Sequence, residues 1–134
     1  MKSGLIQSSF LHYEVIEKLG EGGMGLVYLA NDTKLKRKVA LKFLPRHISA
    51  DPTERQRFRL EAQAVASLSH PNIAQVYAIE ELDDALFIVM EYIKGKELKE
   101  VIEDGELSIE QKWLLAEQIA AGIKVAHDSG VIHR

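Results

Sequence analysis

With 134 residues the chain has room for one domain of ordinary size and too little for two. Its 46% hydrophobic and 28% charged residues exclude the disordered and fibrous classes. A net charge of -3 excludes a broad cationic footprint for nucleic acid, and the absence of cysteine excludes disulfides, thiolate metal sites and a cysteine nucleophile.

The N-terminus, M-K-S-G-L-I-Q-S-S-F, lacks the sustained apolar core of a secretion signal, and no apolar run approaches the roughly 20 residues of a membrane helix. A cytoplasmic chain without a membrane segment is expected, with residues 1–12 as an extension. Strand patterning begins at Tyr13–Leu19 and resumes at Leu26–Ala30, with the glycine-rich stretch Gly20–Gly25 as the tip of an antiparallel hairpin. A third strand follows over Lys38–Leu44 and is ended by Pro45. Asp51 as cap, Pro52 at the first position and Glu54 at a capping-box position predict a helix from Pro52 to Leu68. Pro71 disfavours helix at the residue before it, so the segment Ser69–Asn72 breaks the element.

Apolar runs at Ile73–Ile79 and Leu86–Tyr92, joined by the acidic turn Glu81–Asp84, predict a second hairpin and a sheet of about five strands. Beyond Gly95 the period becomes helical. A short helix is expected over Glu97–Ile102, and a long one opens at Ser108, whose capping-box partner is Gln111, and ends near Ser129-Gly130. Trp113, Leu114, Ile119, Ile123 and Ala126 are expected to form its apolar stripe.

Three features carry chemistry. Gly20, Gly22 and Gly25 form G-x-G-x-x-G, which also occurs as a plain hairpin tip and in dinucleotide-binding folds. Here Leu26-Val27-Tyr28-Leu29 continues as a strand rather than a helix, which favours a hairpin lid whose backbone amides approach phosphates. Lys42 interrupts the apolar strand V-A-L-K-F-L, either snorkelling to solvent or offering one ammonium to a site. Glu61 shares a helical stripe with Phe58, Val65 and Leu68, so it is expected to face the sheet and pair with Lys42; the alternative is a surface acid paired with Arg57. The segment Phe87–Leu98 runs from an apolar strand into a Gly-containing connection whose backbone groups suit the edge of a flat ligand. His70 is expected to be structural and His12, His47 and His127 to be surface or packing residues, with no metal site.

In order, these motifs resemble the protein kinase superfamily, and G-E-G-G-M-G-L-V-Y resembles bacterial serine/threonine kinases of the eukaryotic type. The resemblance covers Tyr13 to Arg134 and implies an α+β fold: a kinase-like N-lobe over residues 13–92, with a C helix on its sheet, then the hinge and first helices (D and E) of a C-lobe over 93–134. It implies ATP as ligand. Gly20, Glu21, Gly22, Gly23, Met24 and Gly25 would lie over the phosphates, and Leu19, Val27 and Ala40 would sandwich adenine. Lys42 would hold the phosphates and pair with Glu61, Met90 would stand as gatekeeper, and the Glu91 carbonyl and Ile93 amide would bond adenine. V-I-H-R resembles the opening of the catalytic loop, whose aspartate, like the Mg²⁺ ligands, would come after Arg134. The expectation is an ATP-binding portion of a kinase acting on protein Ser/Thr, without turnover by itself, binding ATP weakly and self-associating through the 108–129 helix. The alternative is a naturally short pseudokinase or scaffolding module.

Overall fold

A computed structural model describes residues 9–22 and 25–132. Six strands and four helices follow in chain order: β1 (Ser9–Phe10), β2 (Tyr13–Gly22), β3 (Gly25–Asp32), β4 (Arg37–Phe43), α1 (Arg46–Ser49), α2 (Pro52–Ala66), β5 (Val76–Leu82), β6 (Ala85–Glu91), α3 (Leu98–Glu103) and α4 (Ile109–Asp128). All six strands form one antiparallel sheet in the order β1-β2-β3-β4-β6-β5. About five strands were expected. The sixth is β1, within the segment expected as an extension, where Leu11 adopts a left-handed φ of 56° and lets Phe10 pair with Tyr13.

Alternation along β4 divides the sheet into two unlike faces. On one face, cross-strand rows Leu26–Phe43–Phe87, Tyr28–Leu41–Val89 and Ala30–Val39–Glu91 line up through β3, β4 and β6. Val39, Leu41, Phe87 and Val89 are fully buried there. Phe10 closes this core by packing on Phe43, with ring centroids 4.8 Å apart, and Phe43 stacks on Phe87 at 4.7 Å. That contact gives β1 its reason to join the sheet, because an otherwise exposed aromatic ring is removed from water.

The helices start where local chemistry dictates. The Asp51 side chain accepts from the amides of Thr53 at 2.8 Å and Glu54 at 3.3 Å, and Pro52 occupies the first helical position. Glu54 pairs with Arg57 instead of returning a capping-box bond. At α4 the box is complete: the Ser108 amide donates to Gln111 Oε1 at 2.9 Å, and the Gln111 amide donates to Ser108 Oγ at 3.1 Å. Expected over Ile73–Ile79, β5 instead runs Val76–Leu82. Residues after Pro71 are spent on a turn, and the hairpin closes through Asp83-Asp84 with Asp83 at φ 53°.

One joint ties the helical segment to the sheet. The Asn72 side-chain amide donates to the Gln118 carbonyl of α4 at 2.9 Å, and the Asn72 amide donates to His70 Nδ1 at 3.0 Å, giving His70 a structural role. Gly122 is buried against this turn; a Cβ there would stand 3.1 Å from the Asn72 carbonyl oxygen. Elsewhere α4 is open: Trp113, Leu114, Ile119 and Ile123 are all exposed, Trp113 by 68%. They do not form a single stripe. At ~100° per residue Ile119, Ile123 and Ala126 align, whereas Leu114 projects from the far side.

Tyr13 of β2 is buried, with the Glu80 side chain of β5 near its phenol. Burial first, then the charges of Glu80 and Asp32, push its phenol up to about 12 from the usual 10. The folded state therefore holds this proton more tightly than the unfolded chain does. The corresponding stability, on the order of 2 kcal/mol, is fully present below pH 10 and is lost as pH rises towards 12. Urea unfolding between pH 9 and 12 is expected to show this decline in the native chain, and a flatter profile in Tyr13→Phe.

Candidate functional site

The second face of the sheet carries most of the residues singled out by the sequence motifs. Val27, Lys42 and Ile88 are direct cross-strand partners on β3, β4 and β6, and the adjacent row on the same face is Leu29, Ala40 and Met90. The register thus sets one ammonium among Val27, Ile88 and Met90, with Leu29 and Ala40 buried beside it. Gly20 pairs with Val27 from β2, and Leu19 stands in the bulge between Lys18 and Gly20, half out of the sheet. Leu19, Gly20, Val27, Ala40, Lys42 and Met90 are therefore gathered by three adjacent strands and the one beyond. Gly23 and Met24, also assigned to the loop from sequence, lie outside the described residues, as do His133 and Arg134 of V-I-H-R.

The loop glycines have different reasons to be glycine. Gly25 has φ +100°, and a Cβ there would lie 1.9 Å from the Phe43 carbonyl oxygen, so it fastens the hairpin tip to the end of β4. Around Gly20 nothing lies within 4 Å of such a Cβ. Gly22 ends β2, paired with Gly25. Glu21 is exposed and forms an ion pair with Lys18.

The edge of the site is built by the end of β6. The Glu91 amide donates to the Gln75 carbonyl at 2.8 Å, and its carboxylate accepts from the Gln75 amide at 3.0 Å, which pins the strand before it leaves the sheet. Ile93 then stands in the exposed connection, its amide without a hydrogen-bond partner among the described residues.

Glu61 departs from expectation. Its side chain is 65% exposed and pairs with Arg57, Nε to Oε1 3.6 Å, and it makes no ion pair with Lys42. The helix turns Ala62 inward, with Phe58, Arg59 and Val65 flanking, and Glu61 sits one residue, about 100°, around the axis from that seam. Two contacts with no sequence signal hold this orientation: Arg55 and Arg59 both form ion pairs with Glu81 of β5. Such pairs depend on which strand lies beside the helix and in what register, neither of which is written in local periodicity.

Among the described residues no three His, Asp or Glu side chains converge as a metal site. A cleft of about 1170 Å³ opens on the opposite, aromatic face of the sheet, between Phe10, Tyr28, Phe43, Arg55, Arg59 and Leu82; Lys42 is not part of it.

The family described as "Protein kinase domain" matches residues 13–134. Among curated proteins, the chain is 43% identical over 123 residues to the serine/threonine-protein kinase PrkC of Bacillus subtilis, covering 91% of this chain and 19% of that protein. It is 38% identical over 127 residues to the serine/threonine-protein kinase PknB of Mycobacterium leprae, covering 91% and 20%. Among solved structures, the kinase domain of Mycobacterium tuberculosis PknI superposes with a TM-score of 0.82 at 31% identity, covering 96% of this chain and 52% of that one. The chain thus spans about a fifth of the length of these curated relatives and about half of a solved kinase domain.

Replacing the two glycines separates packing from any ligand role. Gly25→Ala is expected to lower stability by roughly 1–3 kcal/mol, whereas Gly20→Ala is expected to stay within about 0.5 kcal/mol of the native chain. Urea unfolding of both variants checks the contrast.

Proposed function

The chain belongs to the protein kinase family, and we propose that it is the ATP-holding portion of a serine/threonine protein kinase, a lobe over residues 13–92 followed by a hinge and the first helices of a second lobe over 93–134. The observation that carries this reading is Lys42, an ammonium without an anionic partner among the described residues, set between Val27 and Ile88 on the strands beside it. An isolated cation on an apolar sheet face is poorly compensated, and a polyphosphate would supply the missing anion.

In this reading the backbone from Gly20 to Gly25 covers the phosphates, and Leu19, Val27 and Ala40 hold the adenine, with Met90 at its back. The Glu91 carbonyl and the Ile93 amide take the adenine edge. Glu61 becomes the partner of Lys42 only when α2 moves towards β4. The family's Mg²⁺, when bound, would neutralise phosphate charge; among the described residues no three His, Asp or Glu side chains converge to hold it. The parent protein would transfer the γ-phosphate of ATP to Ser or Thr of a protein substrate in the cytoplasm, where ATP is supplied.

Isothermal titration tests the reading. ATP is expected to bind the native chain, and Lys42→Ala is expected to weaken it about tenfold or more, the worth of a charge-assisted contact to phosphate. Equal affinity of the two would refute the assignment.

The open face of α4 supports a second proposal, that the isolated chain self-associates through Trp113, Ile119 and Ile123. Light scattering at micromolar concentration is expected to give a mass above 15.1 kDa, and Ile119→Glu combined with Ile123→Glu is expected to return it to the monomer value.

A further inference from the structure

We infer that Glu81, with Arg55 and Arg59, is a latch that holds α2 over the edge of the sheet and keeps Glu61 away from Lys42. The inference rests on the reading of Lys42 and Glu61 as partners in nucleotide binding, and it adds the residues that set when they meet.

The strand order places the latch. Glu81 lies on β5, the edge strand, while Lys42 lies on β4, with β6 between them. At ~4.8 Å per strand the two positions belong to tracks about 10 Å apart. A helix drawn towards β5 is therefore drawn away from Lys42. The helix also presents its residues in the right order: Arg55, Arg59 and Ala62 follow at spacings of four and three along one side, and Glu61 projects from the other flank beside Arg57. When the arginines reach β5, the Glu61 flank is tipped outward, which is where its carboxylate is found.

A single carboxylate serves both arginines, so the latch opens as a unit. Arg55 is further anchored by donating from Nη1 to the Ser49 carbonyl at 3.1 Å, which ties α1 into the same arrangement. Arg59 and Glu81 are 41% and 40% exposed, so solvent screens the contact and the latch is a modest bias between two positions rather than a fixed weld. Asp83 and Asp84 border the same cleft as Arg55 and Arg59 and stand ready to accept a displaced guanidinium. For that reason the arginine side of the latch has to be tested as well as the carboxylate.

Zero-length carbodiimide coupling, which joins an amine to a carboxylate only when they touch, reads the position of α2 without any nucleotide. In the 134-residue chain, mass spectrometry is expected to find little Lys42–Glu61 amide. Glu81→Gln and the double variant R55Q/R59Q are each expected to raise it about two- to tenfold, the population change that a screened pair can hold back. Glu81→Asp, which keeps the charge, is expected to stay near the native level. ATP affinity by titration is expected to tighten by a similar factor in Glu81→Gln and to return to the native value in E61Q/E81Q, a gain and reversal that mere loosening of the fold would not produce. Unchanged coupling in both Glu81→Gln and R55Q/R59Q, with native circular dichroism, would overturn the latch. Raised coupling with unchanged ATP affinity would leave the latch standing and overturn the pairing's role in nucleotide binding.

Discussion

The structure depends on one strand having two unlike faces. On one side β4 commits Val39, Leu41 and Phe43 to the aromatic and aliphatic core; on the other it sets Ala40 and Lys42 beside Leu29 and Val27 of β3. Burial on the first side fixes the register, because a slip of one residue would drive Lys42 into the Phe87 cluster and expose Leu41. The position of the ammonium is thus a by-product of core packing. No local feature of Lys42 itself needs to hold it there.

The same dependence explains the hairpin. Gly25 must be glycine because the tip of β3 presses on the carbonyl of Phe43, the last residue of β4. The core residue that closes the aromatic face therefore also sets where the loop begins. Gly20 has no such duty inside the chain, although both belong to one sequence pattern. Two positions in a motif can share an identity and differ in surroundings, tight packing at one and open space at the other.

What was legible in the sequence divides along physical lines. Features made by neighbours in the chain were readable: the Asp51 cap with Pro52, the Ser108–Gln111 box, the alternation of β4, and the glycine tip. Features made by distant residues were not. β1 exists because Phe10 finds Phe43 and Phe87, and a two-residue strand has no period to detect. The start of β5 moved because Pro71, His70 and Asn72 form a turn that also bonds α4. Local spacing puts Glu61 on the inner face, because Phe58, Val65 and Leu68 share its helical stripe. The spacing is correct, but the helix turns Ala62 to the sheet, leaving Glu61 at the outer margin.

Helix placement is consequently the soft coordinate of this fold. α2 is held to the sheet mainly by one buried alanine, a few half-buried apolar side chains and screened ion pairs, whereas the strands beneath it carry fully buried Leu, Val and Phe. Moving the helix costs little apolar burial, and moving Lys42 would dismantle the core. Exposed ion pairs such as Arg59–Glu81, worth a few tenths to about 1 kcal/mol, are therefore a sizeable share of what holds α2 in place. Rigidity at Lys42 and compliance at Glu61 follow from the same distribution of buried area.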